Sequence, residues 1–114
     1  MIKNTTKKTV LAKEKKLCKS ILSKTKGLMF SRRIKDEGLV FFFDKSQRVS
    51  LHMLFVFFPI DIIFLDEKKR VVEVKESFKP FTFYTSKERI KYLIELPNGT
   101  VKKTKISKDD VIRF

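Results

Sequence analysis

The sequence predicts a small, mainly β protein with short helices (α+β), built as a single domain over residues 1–114 on a twisted antiparallel sheet or small barrel. Its 114 residues provide material for one hydrophobic core. The apolar fraction of 42%, with twelve Phe and no Trp, is typical of a globular protein. Short apolar stretches with alternating side chains are separated by compact polar loops, which indicates several strands in one sheet.

The first third of the chain is predicted to contain a flexible basic terminus, an edge strand and a short helix. Residues 1–8 are polar and Lys-rich, so we expect them to be flexible. Thr9–Cys18 places a few apolar residues among lysines, which is typical of an exposed edge strand. Ser20 is a suitable helix cap, and Gly27 either ends that helix or allows close packing.

The middle of the chain is predicted to form the core strands. Leu39–Phe43 is apolar on both faces and therefore predicts a central strand. Val49–Phe57 has an alternating apolar face, and Pro59 interrupts the ladder because it lacks an N–H donor. Ile60–Asp66 and Arg70–Glu76 are separated by a tight polar turn, so we expect them to pair as an antiparallel hairpin.

The last third is predicted to alternate irregular and regular segments. Phe78–Thr85 is rich in aromatics but too irregular for a firm strand assignment. Tyr92–Leu96 alternates as a strand and ends at Pro97–Gly99, a strong turn signal. Thr100–Thr104 follows as a short helix, and Val111–Phe114 as a closing strand.

The net charge of +14 lies mostly in the first third of the chain. Residues 1–35 hold twelve Lys and Arg against the single acid Glu14, and residues 36–114 hold fifteen against twelve acids. Clustered cations gain affinity for phosphates by releasing counterions, which makes nucleic acid a candidate partner of this basic region. Lys outnumbers Arg by twenty-one to six, however, and Lys-rich surfaces also arise as ordinary solvated faces. Both alternatives stay open, and the sequence sets no oligomeric state.

The sequence favours a cytoplasmic protein without a cofactor. Its Lys-rich start lacks the apolar stretch of about 7–15 residues that a signal peptide needs. The longest apolar run, Met53–Leu65, contains Pro59 and Asp61 and is shorter than the ~20 residues of a membrane-spanning helix. Cys18 and His52 are single residues of their types, so one chain assembles neither a disulfide nor a structural zinc site, and no metal is predicted.

His52 and Asp61 form a candidate polar site with Arg32 and Arg33. Each of the first two interrupts an apolar stretch, where an unpaired polar group costs roughly 1–3 kcal/mol. A His–Asp pair in a pocket performs acid–base chemistry, whereas a structural pair or two unrelated groups is the commoner arrangement. The two arginines can place a guanidinium against Asp61 or Asp36, or remain solvated. We therefore expect Asp61 to be paired with Arg32, Arg33, His52 or backbone N–H groups, and we assign no catalytic residue.

A candidate binding patch follows in the aromatic segment, with Lys79, Phe81, Phe83 and Tyr84. Aromatics interleaved with cations are typical of platforms for single-stranded nucleic acid. The segment carries no recognised motif of that type. Packing of its aromatics into the core, with lysines at the rim, is the favoured alternative.

Several landmarks in order along the chain resemble those of domain-of-unknown-function family number 192, also called uncharacterised protein family 0127. They are Gly27-Leu28-Met29-Phe30, Gly38-Leu39-Val40-Phe41, His52-Met53, Pro59-Ile60-Asp61-Ile62-Ile63-Phe64-Leu65-Asp66 and Glu95-Leu96-Pro97-Asn98-Gly99. Each is weak alone, but their order and spacing cover nearly the whole chain. The resemblance implies a compact, mainly β single domain, and it supplies no catalytic residue.

The chain also departs from that family's pattern. Many members have Arg directly after Gly-Leu-Met-Phe, where this chain has Ser31 and then Arg32. His52–Val56 replaces the Trp-Met-Lys-Asn-Thr of many bacterial members, which makes the chain similar to archaeal-type members. Lys108–Asp110 replaces the usual Gly-Asp near the C-terminus, so only the acidic half of that turn is kept.

The leading hypothesis is a small non-enzymatic binding or structural domain that presents a groove or patch near Asp61, His52 and the segment Phe78–Tyr84. The alternatives are a nucleic-acid-associated basic protein and an acid–base enzyme that uses His52 and Asp61. A phosphate binder needs its lysines on one continuous face, whereas an enzyme needs the two polar residues to converge in a pocket.

Overall fold

The computed structural model describes residues 1–19, 37–52, 59–79 and 82–114. These residues form ten strands and one short helix, in chain order β1 (Ile2–Asn4), β2 (Thr9–Ala12), β3 (Glu14–Lys19), β4 (Glu37–Gln47), β5 (Ser50–His52), β6 (Ile60–Leu65), β7 (Val71–Phe78), β8 (Phe83–Thr85), β9 (Ile90–Pro97), α1 (Thr100–Thr104) and β10 (Ile112–Arg113). The predicted helix after Ser20, the end of the predicted strand beyond His52, and Pro80 lie outside the described residues.

The strands form a five-stranded sheet in the order β3-β4-β9-β6-β7, a three-stranded sheet in the order β10-β1-β2, and the pair β5-β8. The mainly β fold is confirmed, and the neighbours in the five-stranded sheet pair antiparallel except β3 and β4, which are parallel. Parallel neighbours need a connection of a dozen or more residues, and the chain between these two strands is long enough for one. In the described residues the outer strands β3 and β7 are not paired with each other, so the sheet is open rather than a closed barrel.

The predicted hairpin is confirmed by the antiparallel pairing of β6 with β7, in which Ile63 lies opposite Val74. The connecting turn is held by Asp66, whose Oδ1 accepts the backbone N–H groups of Lys68 and Arg70 at 2.9 Å each. A short carboxylate that accepts local backbone donors favours a turn over continued extension. The polar turn therefore fixes the hairpin register.

The five-stranded sheet is covered on both faces, because all six residues of β6 are buried. Phe41, Phe64 and Leu93 belong to an apolar cluster on one face, and Ile63 and Ile94 belong to the cluster on the other. An inner strand with two covered faces reads as a continuous apolar run, and this explains the apolar sequence from Ile60 to Leu65. Both faces are therefore dry along β6 and along Leu93–Leu96 of β9, and a polar side chain there needs partners from within the protein.

The three-stranded sheet packs closely against the five-stranded one at Gly38. A Cβ at this position would collide with Ile2 Cδ1 and would lie 3.3 Å from Leu96 Cδ2 and 3.4 Å from Ala12 Cβ. The missing side chain lets the two backbones approach. Gly38 thus leaves room for the side chains of Ile2, Ala12 and Leu96 to pack over β4.

Residues 1–8 are built into the fold, contrary to the expectation of a flexible terminus. Ile2 and Asn4 are fully buried in β1, which pairs with both β2 and β10. Asn4 Nδ2 donates to Asp110 Oδ2 at 2.8 Å, and Lys7 Nζ donates to the same oxygen at 3.0 Å. The terminus is held in place because Ile2 is buried in the core and because the polar partner of Asn4 and Lys7, Asp110, lies near the other end of the chain.

Asp110 is the centre of this junction between the two ends of the chain. Loss of water raises its pKa, but hydrogen bonds from Asn4, the Ser107 backbone and Lys7, together with the Lys7 charge, lower the pKa below its ordinary value. The ionised form is therefore stabilised by the fold. In the turn before it, Asp109 has a φ of 75° in the left-handed region, which Gly enters at lower cost.

Candidate functional site

Asp61 is a fully buried side chain that accepts two backbone hydrogen bonds. It lies in β6, with Oδ1 2.9 Å from Ser77 N and Oδ2 2.9 Å from Val101 N. Charge-assisted bonds of this kind compensate a carboxylate for the water that it loses. Ser77 has a left-handed φ of 48°, so the carboxylate also stabilises a strained position at the end of β7. Asp61 thereby joins the end of β7 to the first turn of α1.

The same bonds fix the segment that leads into α1. Val101 lies in the first turn of the helix, and Gly99 precedes it with a φ of 91°. Ser77 Oγ donates to Asn98 Oδ1 at 2.9 Å, and Thr100 Oγ1 donates to Pro97 O at 2.7 Å. The segment from Pro97 to Thr104 is therefore held by polar contacts from a strand that is distant in sequence. It forms a preorganised wall.

A groove of about 670 Å³ lies between this wall and β2. We call it the β2–α1 groove. Its β2 side is formed by Val10, Leu11, Ala12 and Lys13, and its other side by Pro97, Asn98, Gly99, Thr100, Lys103 and Thr104. The volume lies within the range of roughly 300–1,000 Å³ that is usual for ligand sites. The groove is thus large enough to take a small molecule or a few residues of a peptide.

The described lining of the β2–α1 groove combines apolar and cationic side chains. Val10 is 47% exposed there, an unusual position for a large aliphatic side chain without a partner. Lys13 and Lys103 are the charged side chains of the described lining, and both are exposed. The combination fits a ligand that carries an apolar part and a carboxylate or another anion.

The structure places the backbones of two members of the predicted polar site in different sheets. Asp61 lies in the five-stranded sheet, whereas the backbone of His52 lies in β5, opposite Phe83 in the β5-β8 pair. Arg32 and Arg33 lie outside the described residues. The partners of Asp61 are the backbone N–H groups, one of the alternatives that the sequence offered. Its role in the described structure is to shape the wall of the β2–α1 groove from behind.

Tyr84 of the predicted binding patch is engaged inside the fold. Its ring centroid lies 6.0 Å from that of Phe64 and 6.4 Å from that of Phe78. Its hydroxyl donates a hydrogen bond to Glu73, and Lys75 Nζ lies 5.1 Å from the ring centroid. Burial, the Glu73 hydrogen bond and the Glu73 charge raise the pKa of Tyr84 to about 12. Tyr84 is therefore partly buried against the apolar cluster that contains Phe64 and Phe78.

The other described members of the patch face solvent. Phe83 is 76% exposed and Lys79 is exposed, while Phe81 lies outside the described residues. The alternation of a short strand separates Phe83 from Tyr84, because neighbouring side chains point to opposite faces. Core packing thus explains Tyr84 but not Phe83.

Glu95 is a buried acid that the sequence reasoning did not single out. It lies in β9 with no accessible surface, and neither carboxylate oxygen has a hydrogen-bond partner in the described part of the chain. Burial raises the pKa of Glu95 to about 8. The available signal was a lone acid at Glu95 directly between Ile94 and Leu96, in a strand predicted to pack against apolar neighbours.

The fold and the groove define a class: a small domain of mixed β-sheet with a ligand-sized groove beside one outer strand. Residues 2–114 match the family DUF192, described as uncharacterized ACR. The chain belongs to this family.

Curated relatives match over the full chain. The UPF0127 protein of Thermococcus kodakarensis is 34% identical over 116 residues, which cover 100% of this chain and 73% of that protein. The UPF0127 protein of Pyrococcus horikoshii is also 34% identical over 116 residues and is covered to 98% of its length. These relatives confirm the resemblance to archaeal members of the family.

Two solved structures share the fold. A protein from Sinorhizobium meliloti, described as a candidate transcription regulator, superposes with a TM-score of 0.79 at 26% identity, over 87% of this chain and 79% of that one. A protein of unknown function from Novosphingobium aromaticivorans superposes with a TM-score of 0.79 at 22% identity, over 88% and 74%. Among the described residues of this chain, none of the helical structure has the length and apolar character to cross a membrane.

Proposed function

We propose that this chain is a non-enzymatic binding domain and that the β2–α1 groove is its binding site. The observation that carries the proposal is the groove itself, which has the volume of a ligand site and one wall fixed by the buried Asp61. A site that is formed before the ligand arrives loses less entropy on binding. The fixed wall therefore supports recognition rather than a passive surface depression.

The lining chemistry favours binding over acid–base catalysis. The described lining contains aliphatic, amide, hydroxyl and ammonium groups, with no carboxylate and no imidazole among them. Lys13 and Lys103 offer charge-assisted hydrogen bonds to an anion, and Val10 offers apolar contact. The ligand class that fits is an organic anion with an apolar portion.

Chemical-shift mapping of the ¹⁵N-labelled protein with small probes tests this proposal. Butyrate and benzoate are titrated against butylamine and benzylamine, which have similar apolar parts and the opposite charge. We expect the two carboxylates to shift the amides of Val10–Lys13 and Gly99–Thr104, and the amines to leave them unchanged. Shifts spread over all exposed lysines, or none in the groove, would overturn the proposal.

A matched pair of charge reversals sharpens the same experiment. Lys103 lines the groove, whereas its neighbour Lys102 is equally exposed on the same helical turn and does not line it. Lys103→Glu should weaken carboxylate binding by about tenfold, the order expected for loss of one charged hydrogen bond. Lys102→Glu changes the net charge by the same amount and should have little effect.

A second candidate function, association with nucleic acid, is favoured by the exposed Phe83 and by the basic N-terminal region. Phe83 offers a stacking surface in a segment that also carries exposed Lys79, Lys87 and Arg89. The description of the Sinorhizobium meliloti structure as a candidate transcription regulator points the same way. Lys7 does not support this candidate, because its ammonium group already donates hydrogen bonds to Asp110 and to Lys105 O of the same chain.

Titration of labelled single- and double-stranded RNA and DNA at two salt concentrations tests the second candidate. Neutralisation of several phosphates predicts affinity that falls steeply with salt. Phe83→Ala should weaken single-strand binding by roughly 1–3 kcal/mol if the ring stacks on bases. Dissociation constants no tighter than about 10⁻⁴ M at physiological salt would leave the lysines as plain surface.

We also propose a cytoplasmic location. The support is the single cysteine, Cys18, which has no partner for an intrachain disulfide and suits a reducing compartment. Fractionation of cells that carry a tagged full-length chain checks this, with recovery in the membrane or secreted fraction as the contradicting result.

A further inference from the structure

Strand β2 is an outer strand that lines the β2–α1 groove. In the described part of the chain β2 pairs with β1 and with no other strand. Val10, Leu11, Ala12 and Lys13 are consecutive, and all four line the groove. Side chains alternate between the faces of a strand, so a cavity over one face would be lined by every second residue. Four consecutive lining residues indicate that the groove runs along the edge of β2 and its continuation.

Beta-strand edges that are not protected pair with other chains, and proteins usually blunt them with charged residues. Among the outer strands of the two larger sheets, β3 contains Lys15 and Lys16, β7 contains Glu73 and Lys75, and β10 contains Arg113. Strand β2 has the sequence Thr-Val-Leu-Ala and carries no charge. It is therefore the outer strand of these sheets, within the described residues, that lacks this protection.

We propose that the β2–α1 groove takes an extended, acidic segment of another polypeptide, which adds to the edge of β2 as a further strand. This inference rests on the proposed function of the groove as a binding site. Addition of a strand to an exposed edge supplies affinity through backbone hydrogen bonds, and neighbouring side-chain sites supply specificity. The groove provides both, because it combines a strand edge with apolar and cationic lining.

Charge selects the acidic partner. Lys13 directly follows β2 and Lys103 lies on the opposite wall, so the described charged groups of the lining are both cations. An extended segment with acidic residues places carboxylates within reach of these ammonium groups, while its apolar residues cover Val10. The net charge of +14 further raises the rate of encounter with an acidic chain.

The probe is a capped peptide of about seven residues that alternates valine and glutamate, a length that spans roughly 24 Å when extended. Its controls are the same peptide with lysine in place of glutamate, and two forms of the same peptide in which either the odd-numbered or the even-numbered backbone amides are N-methylated. In the full-length ¹⁵N-labelled protein we expect the glutamate peptide to protect amides of Val10–Lys13 from exchange and to give cross-strand contacts to them. The lysine peptide should not bind, and each N-methylated form that removes pairing N–H groups should bind at least about tenfold more weakly.

The variants Lys103→Glu and Lys102→Glu are measured with the same peptide. The first should weaken binding by about tenfold and the second should not, because Lys102 lies outside the groove. Peptide contacts at β3 or β7 in place of β2, or equal affinity for all N-methylated forms, would overturn strand addition. If the small carboxylates bind the groove and the peptide does not, strand addition fails while the binding site stands. If neither binds, both proposals fail.

Discussion

Asp61 and Glu95 are both fully buried carboxylates of neighbouring strands, but their surroundings differ completely. Asp61 lies opposite Leu96 and faces one side of the sheet, while Glu95 lies opposite Ile62 and faces the other. Asp61 accepts two backbone N–H groups, whereas the Glu95 oxygens have no partner in the described part of the chain. The two acids thus lie one register position apart on opposite faces of the sheet, and only Asp61 has hydrogen-bond partners among the described residues.

The difference shows that burial alone does not define the state of an acid. On the Asp61 side, the chain turns at Ser77 and begins a helix at Thr100, and both events leave backbone donors without intrasegment partners. On the Glu95 side, the residues paired with Glu95 on the adjacent strands are Leu39 and Ile62, whose side chains are hydrocarbon and cannot form hydrogen bonds. The two backbone hydrogen bonds therefore compensate Asp61 for the water that it loses, whereas burial without a partner favours the protonated form of Glu95.

The largest expected effect is a pH dependence of stability that comes from Glu95. Its folded pKa of about 8 lies above the ordinary value of 4.5, so the folded state binds the proton more tightly than the unfolded state does. The contribution of protonated Glu95 to the free energy of unfolding is fully present below the pKa of the unfolded state. It is lost as the pH rises through the pKa of the folded state, at about 1.4 kcal/mol per pH unit between these two pKa values.

Urea unfolding of the wild type and Glu95→Gln from pH 5 to pH 9 measures this effect. The amide keeps the shape of the neutral acid and has no carboxyl proton to lose. As the pH rises from 5 to 9, the free energy of unfolding of the wild type should therefore fall by several kcal/mol relative to that of Glu95→Gln. Parallel pH profiles of the two proteins would show that Glu95 finds a partner for its charge.

Asp61→Asn is expected to destabilise the fold by roughly 1–3 kcal/mol at neutral pH. The amide keeps one acceptor oxygen, but its NH₂ group faces a backbone donor. Denaturant unfolding measures the change. Asp44 is an exposed carboxylate on β4, and Asp44→Asn is the matched control with an expected change within about 0.5 kcal/mol. Unchanged stability of Asp61→Asn would contradict the structural role of its two bonds.

Lys7→Gln should give the smallest effect, because it removes the charge from a contact that is only partly buried. Lys7 Nζ lies 3.0 Å from Asp110 Oδ2, and Asp110 keeps the bonds from Asn4 and the Ser107 backbone. The expected loss is up to about 1 kcal/mol, smaller at high salt. Unfolding at low and high ionic strength checks it, and a loss that does not respond to salt would indicate that lost packing outweighs lost charge.

Local sequence patterns predicted the elements that depend on neighbouring residues. The hairpin of β6 and β7, the strand β9 and the helix α1 each follow from alternation or from a turn signal within a few positions. The parallel pairing of β3 with β4 was missed because alternation records which residues form a strand and not which strand is its neighbour.

The candidate site was less predictable because its parts are distant in sequence. The partners of Asp61 are 16 and 40 residues away, so its polar character was visible and its bonds were not. The β2–α1 groove joins Val10 to Lys103 across almost the whole chain. The burial of Ile2 likewise depends on packing against residues that are distant in sequence. The polar, Lys-rich composition around it therefore predicted a flexible terminus instead.

The central claim is that Asp61 fixes one wall of the binding groove, whereas Glu95 has no part in it. Amide hydrogen exchange at Ser77 and Val101 tests this directly in the wild type, Asp61→Asn and Glu95→Gln at neutral pH. Exchange of at least one of the two amides should rise by about tenfold or more in Asp61→Asn, because a lost charge-assisted bond is worth about 1.5–3 kcal/mol, and it should not change in Glu95→Gln. Equally slow exchange of both amides in Asp61→Asn, or faster exchange in Glu95→Gln alone, would contradict the claim.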